Sequence, residues 1–130
     1  MNQPTEMEKL LRLAERDLIA FRILRDASEV DPSLALFHAQ QCVEKCLKAV
    51  LVSRGKTIAK IHDLSTLARS VVQSGVQLPV AKAELDRLTP YAATMRYDEL
   101  EYAAIDYKST TKIVEAVFNW AKGIVGGTNE

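Results

Sequence analysis

FHAQQCVEKCLKAVLVSRGKTIAKIHDL, residues 37–64, decides the fold of this chain. Its first part carries apolar residues at helical spacing with neither glycine nor proline, and the run extends back to Asp31 and Pro32. Aspartate is a good side-chain acceptor for a first helical turn, and proline at the next position is already set at helical φ. Gly55 supplies the residue that suits the position just past a helix end. The spacing therefore predicts a helix over 32–54, about six turns without a breaker.

On either side the pattern repeats. Met7, Leu11, Ala14, Leu18 and Phe21 recur at three and four residues and predict helix 1 over 6–28, with Arg12, Glu15, Arg16 and Arg22 outside the stripe. A short helix 3 should open near His62 and Asp63, whose carboxylate suits the positive end of the helix dipole. It should carry Leu64, Leu67, Ala68 and Val71 inward and stop at Gly75. Ala81, Leu85, Leu88, Ala92 and Met95 keep one face continuous across Pro90, which predicts a helix 4 running to about Tyr97. It should be kinked where proline removes the bond to the Asp86 carbonyl. After an acidic connection, 98–102, the residues Asp106, Thr110, Ile113, Val117, Trp120 and Ile124 mark the seam of helix 5, frayed at its glycine-rich end. No strand alternation competes. The fold class is all-α, an antiparallel helical bundle.

At 130 residues and 14.5 kDa the chain fits one domain, 1–130, able to bury a core without disulfide or metal staples. The 17 basic and 17 acidic side chains cancel, so any affinity for nucleic acid must come from a local patch rather than a whole-molecule field. The N-terminal residues lack the basic and apolar regions of an export signal, and no apolar run is long enough to cross a bilayer. A soluble, cytoplasmic protein is expected. Cys42 and Cys46, one turn apart on one helix, are poorly placed for a disulfide and well placed as buried thiols, which fits a reducing compartment.

The polar residues of helix 2 and the loop after it carry the chemistry. His38, Cys42 and Cys46 share a stripe, but His38 and Cys46 lie about 12 Å apart along the axis, so they cannot converge on one ion. A zinc site would need ligands from elsewhere, such as His62, and a core thiol pair is the simpler reading; no metal or cofactor is assigned. Glu44 precedes Lys48 by four residues, the favourable order for a surface ion pair, with Gln40 one turn back and Gln41 and Lys45 on a neighbouring line. Such a helix either presents a solvated face or borders a groove or partner. Then Arg54-Gly-Lys-Thr-Ile-Ala-Lys-Ile-His62 brings three cations to a helix N-terminus, an anion site in outline. The GKT within it is not a phosphate-binding P-loop, because the earlier glycine and the preceding strand are missing. Arg96 and Tyr97 form a second candidate pair for phosphate contact or stacking, or for capping against Asp98 and Glu99.

Ala14-x-x-Asp17-x-x-Ala20, the helix 2 block from Phe37 to Leu51, Ile61-His62-Asp63-Leu64, and Arg96-Tyr97 together resemble the HEPN domain family over nearly the whole chain. The resemblance implies an up-and-down bundle of four long helices plus a short one, usually dimeric. It also implies an association with a minimal nucleotidyltransferase in two-component or toxin–antitoxin systems, and in many members a metal-independent endoribonuclease. In those ribonucleases an arginine and a histidine separated by a short spacer meet across the dimer. The histidine moves a proton and the arginine neutralises the phosphate. The nearest match here is Arg54 to His62, with seven intervening residues and Gly55 where a polar residue is expected.

Three functions follow as expectations. In the first, a dimeric module binds nucleotide or RNA phosphate through Arg54, Lys56, Lys60, His62 and Arg96, supported by Asp63, Lys45, Lys48 and Tyr97, and acts with a nucleotidyltransferase. In the second, the same dimer is an endoribonuclease with Arg54 and His62 as its catalytic pair. In the third, it is a structural dimerisation module without ligand. Independently of the resemblance, a dimer finds its hint in an excess of apolar stripe on helices 2 and 5.

Overall fold

A capping box opens helix α1 (Glu6–Arg25): the Glu8 N–H donates to Thr5 Oγ1 at 3.2 Å while the Thr5 N–H donates to Glu8 Oε1 at 2.8 Å. The computed structural model describes residues 5–58, 60–61, 63–89 and 106–127, whose regular structure is helical, with no strand among them. His62, Pro90, Arg96 and Tyr97 therefore lie outside the described residues, as does the expected kink.

Helix α1 buries Ala14, Leu18 and Phe21, the expected stripe, and a fourth residue the stripe did not contain, Asp17. Helix α2 (Pro32–Ser53) begins at Asp31, whose side chain accepts from the Ser33 N–H at 2.9 Å, and ends with Arg54 as its C-cap. Gly55 follows at φ +77°, where a side chain would be strained. Helix α3 (Leu64–Gln73) is capped by Asp63 and buries Leu64, Leu67, Ala68 and Val71, and Gly75 follows its C-cap at φ +93°.

Gly75 is a place to test that reading. A Cβ there would meet only Arg54 Nη2, at 3.8 Å, so an alanine has room, and its cost is conformational. Gly75→Ala is expected to lower stability by about 1–2 kcal/mol. Urea unfolding with an unchanged slope checks it, and a neutral result would mean that the turn relaxes freely.

Helix α4 departs from expectation. Its helical bounds are Lys82–Asp86, after which the Leu88 N–H bonds back only three residues, to the Leu85 carbonyl at 3.0 Å. The chain tightens as it nears Pro90, which disfavours helical backbone in the residue before it and cannot donate to the Asp86 carbonyl. Helix α5 (Tyr107–Gly127) also differs in detail. Asp106 is not part of the seam: its carboxylate accepts from the Lys108 N–H at 3.0 Å and the Ser109 hydroxyl at 2.8 Å, capping the helix. The buried line is Ile113, Val114, Val117, Phe118, Ala121 and Val125, while Trp120 is half-buried and donates its indole N–H to the Gln77 carbonyl at 3.0 Å.

Helix α2 holds the centre. Helices α1, α3 and α5 all pack on it, α1 also touches α5, and α4 rests on α3. Phe21, Leu36, Leu47, Leu64, Leu67, Val50 and Val117 are among the fully buried side chains of this core. Three exposed carboxyls titrate below their ordinary range: Glu8 through its bonds to Thr5, Asp26 through the Arg25 guanidinium, and Asp106 through Ser109. Because the folded values are depressed, this stabilisation is present at neutral pH and fades as pH falls through them.

Candidate functional site

The cationic loop leaves α2 through a turn in which the Lys56 N–H bonds to the Leu51 carbonyl at 3.0 Å. Arg54, Lys56 and Lys60 are all exposed, and no carboxylate among the described residues pairs with any of them. Arg54 turns toward the far end of α3 and donates through Nη2 to the Ser74 carbonyl at 3.3 Å, while Lys56 lines a cleft. This cleft, about 260 Å³, lies between Leu51 of α2, the loop residues Lys56, Thr57, Ile58 and Ile61, and Leu67, Ser70, Gln73 and Ser74 of α3.

At the other end of the loop, the α3 N-terminus already holds a carboxylate of its own. Asp63 accepts from the Ser65 N–H at 3.0 Å and from the Thr66 hydroxyl at 2.9 Å, so the dipole and one of its N–H groups are already engaged. Of the loop's three cations, Lys56 is the one that lines the cleft.

The middle of α2 is more polar inside than its sequence suggested. Glu44 and Lys48 pair at 2.9 Å, but with side chains only 5% and 12% exposed they are not a solvated surface pair. Gln40 donates to Glu44 Oε1 at 2.9 Å and Gln41 donates to Gln40 Oε1 at 2.7 Å, so the buried carboxylate accepts from both sides. These bonds offset the cost of taking it out of water.

On the α1 side of α2, Asp17 accepts from Lys45 Nζ through Oδ2 and shares a 2.8 Å hydrogen bond through Oδ1 with His38 Nδ1. An ionised carboxylate only accepts, so Nδ1 carries the proton, and Nε2 has no partner among the described residues. The periodicity of α1 gave no sign of Asp17's role. Its partners lie 21 and 28 residues away, and only the Ala-x-x-Asp-x-x-Ala spacing, shared with the family it resembles, drew attention to it.

Cys42 and Cys46 are free, fully buried thiols. The hydrogen bond with Cys42, then burial, pushes the Cys46 thiol well above its ordinary range, which keeps it protonated and unreactive at neutral pH. No group of three or more metal-ligating side chains occurs among the described residues. None of their helices is long and apolar enough to cross a membrane.

Comparison with known proteins supplies the rest. A protein of Methanocaldococcus jannaschii named as a candidate toxin, MJ1304, is 37% identical over 62 residues, which is 48% of this chain and 39% of that protein. The crystal structure of ST0689, an archaeal HEPN homologue, superposes with a TM-score of 0.54 at 25% identity, covering 99% of this chain and 97% of that one. The family model for the HEPN domain matches residues 7–124, from the first turn of α1 almost to the end of α5. A match of that extent, on a chain whose helices follow those of an archaeal member, means that this protein belongs to the HEPN domain family.

Proposed function

We propose that this HEPN protein is a toxin-like module that binds nucleotide or RNA phosphate, works as a homodimer and acts with a nucleotidyltransferase partner. The observation that carries the reading is Lys56, a cation that pairs with no acid among the described residues and lines a cleft whose described walls contain no carboxylate. Lys60 and Arg54 extend the positive surface, and His62 and Arg96 are the further phosphate contacts proposed. The toxin name of the M. jannaschii relative agrees with it. For the dimer, support comes from exposed apolar side chains, Ile19 and Ile23 one turn apart on α1 and Leu34 on α2.

Fluorescence polarisation with a labelled single-stranded RNA at two salt concentrations tests the binding. Affinity should fall with salt, and Lys56→Ala should weaken it and reduce the salt slope by about one. No binding at low salt and high protein concentration would discard the reading. Following the same RNA on a gel in EDTA tests the endoribonuclease alternative, in which cleavage disappears in both Arg54→Ala and His62→Ala.

A further inference from the structure

We infer that two copies of this chain meet through the outward faces of their α1 helices, paired antiparallel about a two-fold axis beside residue 21. Ile19 of each copy then lies against Ile23 of the other, and Arg16 against Asp26. This rests on the homodimer reading above and narrows it to one face and one register.

The face comes first. At about 100° per residue, Arg12, Arg16, Ile19, Ile23 and Asp26 fall within an arc of about 80°. Asp26, the C-cap, keeps helical backbone, so the count runs through it. The arc lies on the far side of α1 from the buried line of Ala14, Leu18 and Phe21. All five residues are exposed, and the two isoleucines are adjacent rather than scattered.

The charge along this face is polarised. Arg12 and Arg16 stand on the N-terminal side of the isoleucines, and neither pairs with a carboxylate among the described residues. Asp26 stands on the C-terminal side. Its carboxylate accepts from the Arg25 guanidinium at 3.0 and 3.3 Å, yet 71% of its side chain remains accessible, so it can accept again. A strip that is basic, then apolar, then acidic complements itself when reversed, and reversal is what a two-fold axis supplies.

The register follows from the spacing. With a rise of about 1.5 Å per residue, Ile19 and Ile23 stand about 3 Å to either side of residue 21, and Arg16 and Asp26 about 7.5 Å to either side. One arrangement therefore satisfies both pairs, and each contact occurs twice. Moving the axis one turn, to between residues 17 and 18, sets Arg12 on Ile23 and Arg16 on Ile19, which covers both guanidinium groups without an acceptor. Parallel pairing sets each arginine against its own copy. A partner of another kind would need the same zones in the same order, which a second copy already has. Contact along one 20-residue helix lies at the small end of specific interfaces, below about 1,200 Å² in total, so the dimer should dissociate on dilution.

Sedimentation velocity of the full chain over a dilution series tests this, with circular dichroism of each variant to confirm the fold. The parent should pass from dimer to monomer. Ile19→Ser and Ile23→Ser should each weaken the dimer about tenfold, because every substitution is felt twice. Arg16→Asp and Asp26→Arg should each weaken it at least as much, since each sets like charges together. The double variant carrying both reversals should return to within about threefold of the parent. Val72→Ser, at an exposed apolar position on α3, should leave the dimer unchanged. A dimer that the isoleucine variants leave intact overturns the inference, and the homodimer reading then stands on another face. Charge reversals that show no recovery in the double variant overturn it as well. A parent that is monomeric at every concentration overturns both the inference and the homodimer reading.

Discussion

Asp17→Ala is expected to destabilise the protein by about 3 kcal/mol, the lower end of the range for breaking a buried ion pair, because Lys45 keeps some contact with water. The aspartate ties α1 to the polar line of α2 and satisfies two of its groups at once. Removing it strands the Lys45 ammonium and the His38 N–H together, and each must find water or bend away. Chemical denaturation of Asp17→Ala, Lys45→Met and the double variant gives the coupling between them. A coupling energy below about 0.5 kcal/mol would mean that the pair is incidental to the α1–α2 seam. A second arm, Asp17→Leu with Lys45→Met, should recover much of the loss, because an apolar pair of similar size leaves no buried charge behind.

Phe21→Ala should cost still more, about 3–5 kcal/mol. Its ring is fully buried where α1 meets α2 and α5, lies edge-on to Tyr107 with centroids 6.4 Å apart, and carries the Arg25 guanidinium 5.7 Å from its own centroid. Truncation removes the buried area and the edge-to-face contact, and it leaves a cavity that three helices cannot all collapse into. Glu15→Ala, at an exposed position of the same helix, is the internal control and should change stability by no more than about 0.5 kcal/mol. Equal costs at the two positions would refute the packing described for α1.

The ends of the helices were legible because they depend on local chemistry. Asp31 and Pro32, Asp63, and the glycines at 55 and 75 each act within a few residues of themselves, and the structure uses each as its type suggests. What was not legible depends on distant partners. Glu44 and Lys48 have the spacing of a surface pair, and only the surroundings of α2 make them interior. Arg54 stands at the end of α2 in the cationic loop, and only the fold shows that its guanidinium also reaches a carbonyl 20 residues further along. On α5 a seam drawn through Asp106, which caps, leaves out Val114, Phe118, Ala121 and Val125 on the adjoining line. For the candidate site, the sequence located the cationic loop but not the cleft, since the α3 residues that form its other wall follow no pattern distinguishable from an amphipathic helix.

The shared position of α2 sets how the molecule can breathe. A helix that walls three seams cannot lose its cover through motion of one neighbour alone, whereas the five-residue α4 touches mainly α3 and is anchored chiefly by Leu85. Amide protons in the middle of α2, near Val43 and Leu47, should thus exchange with solvent only when the whole chain unfolds, and those of α4 should exchange through small local openings long before.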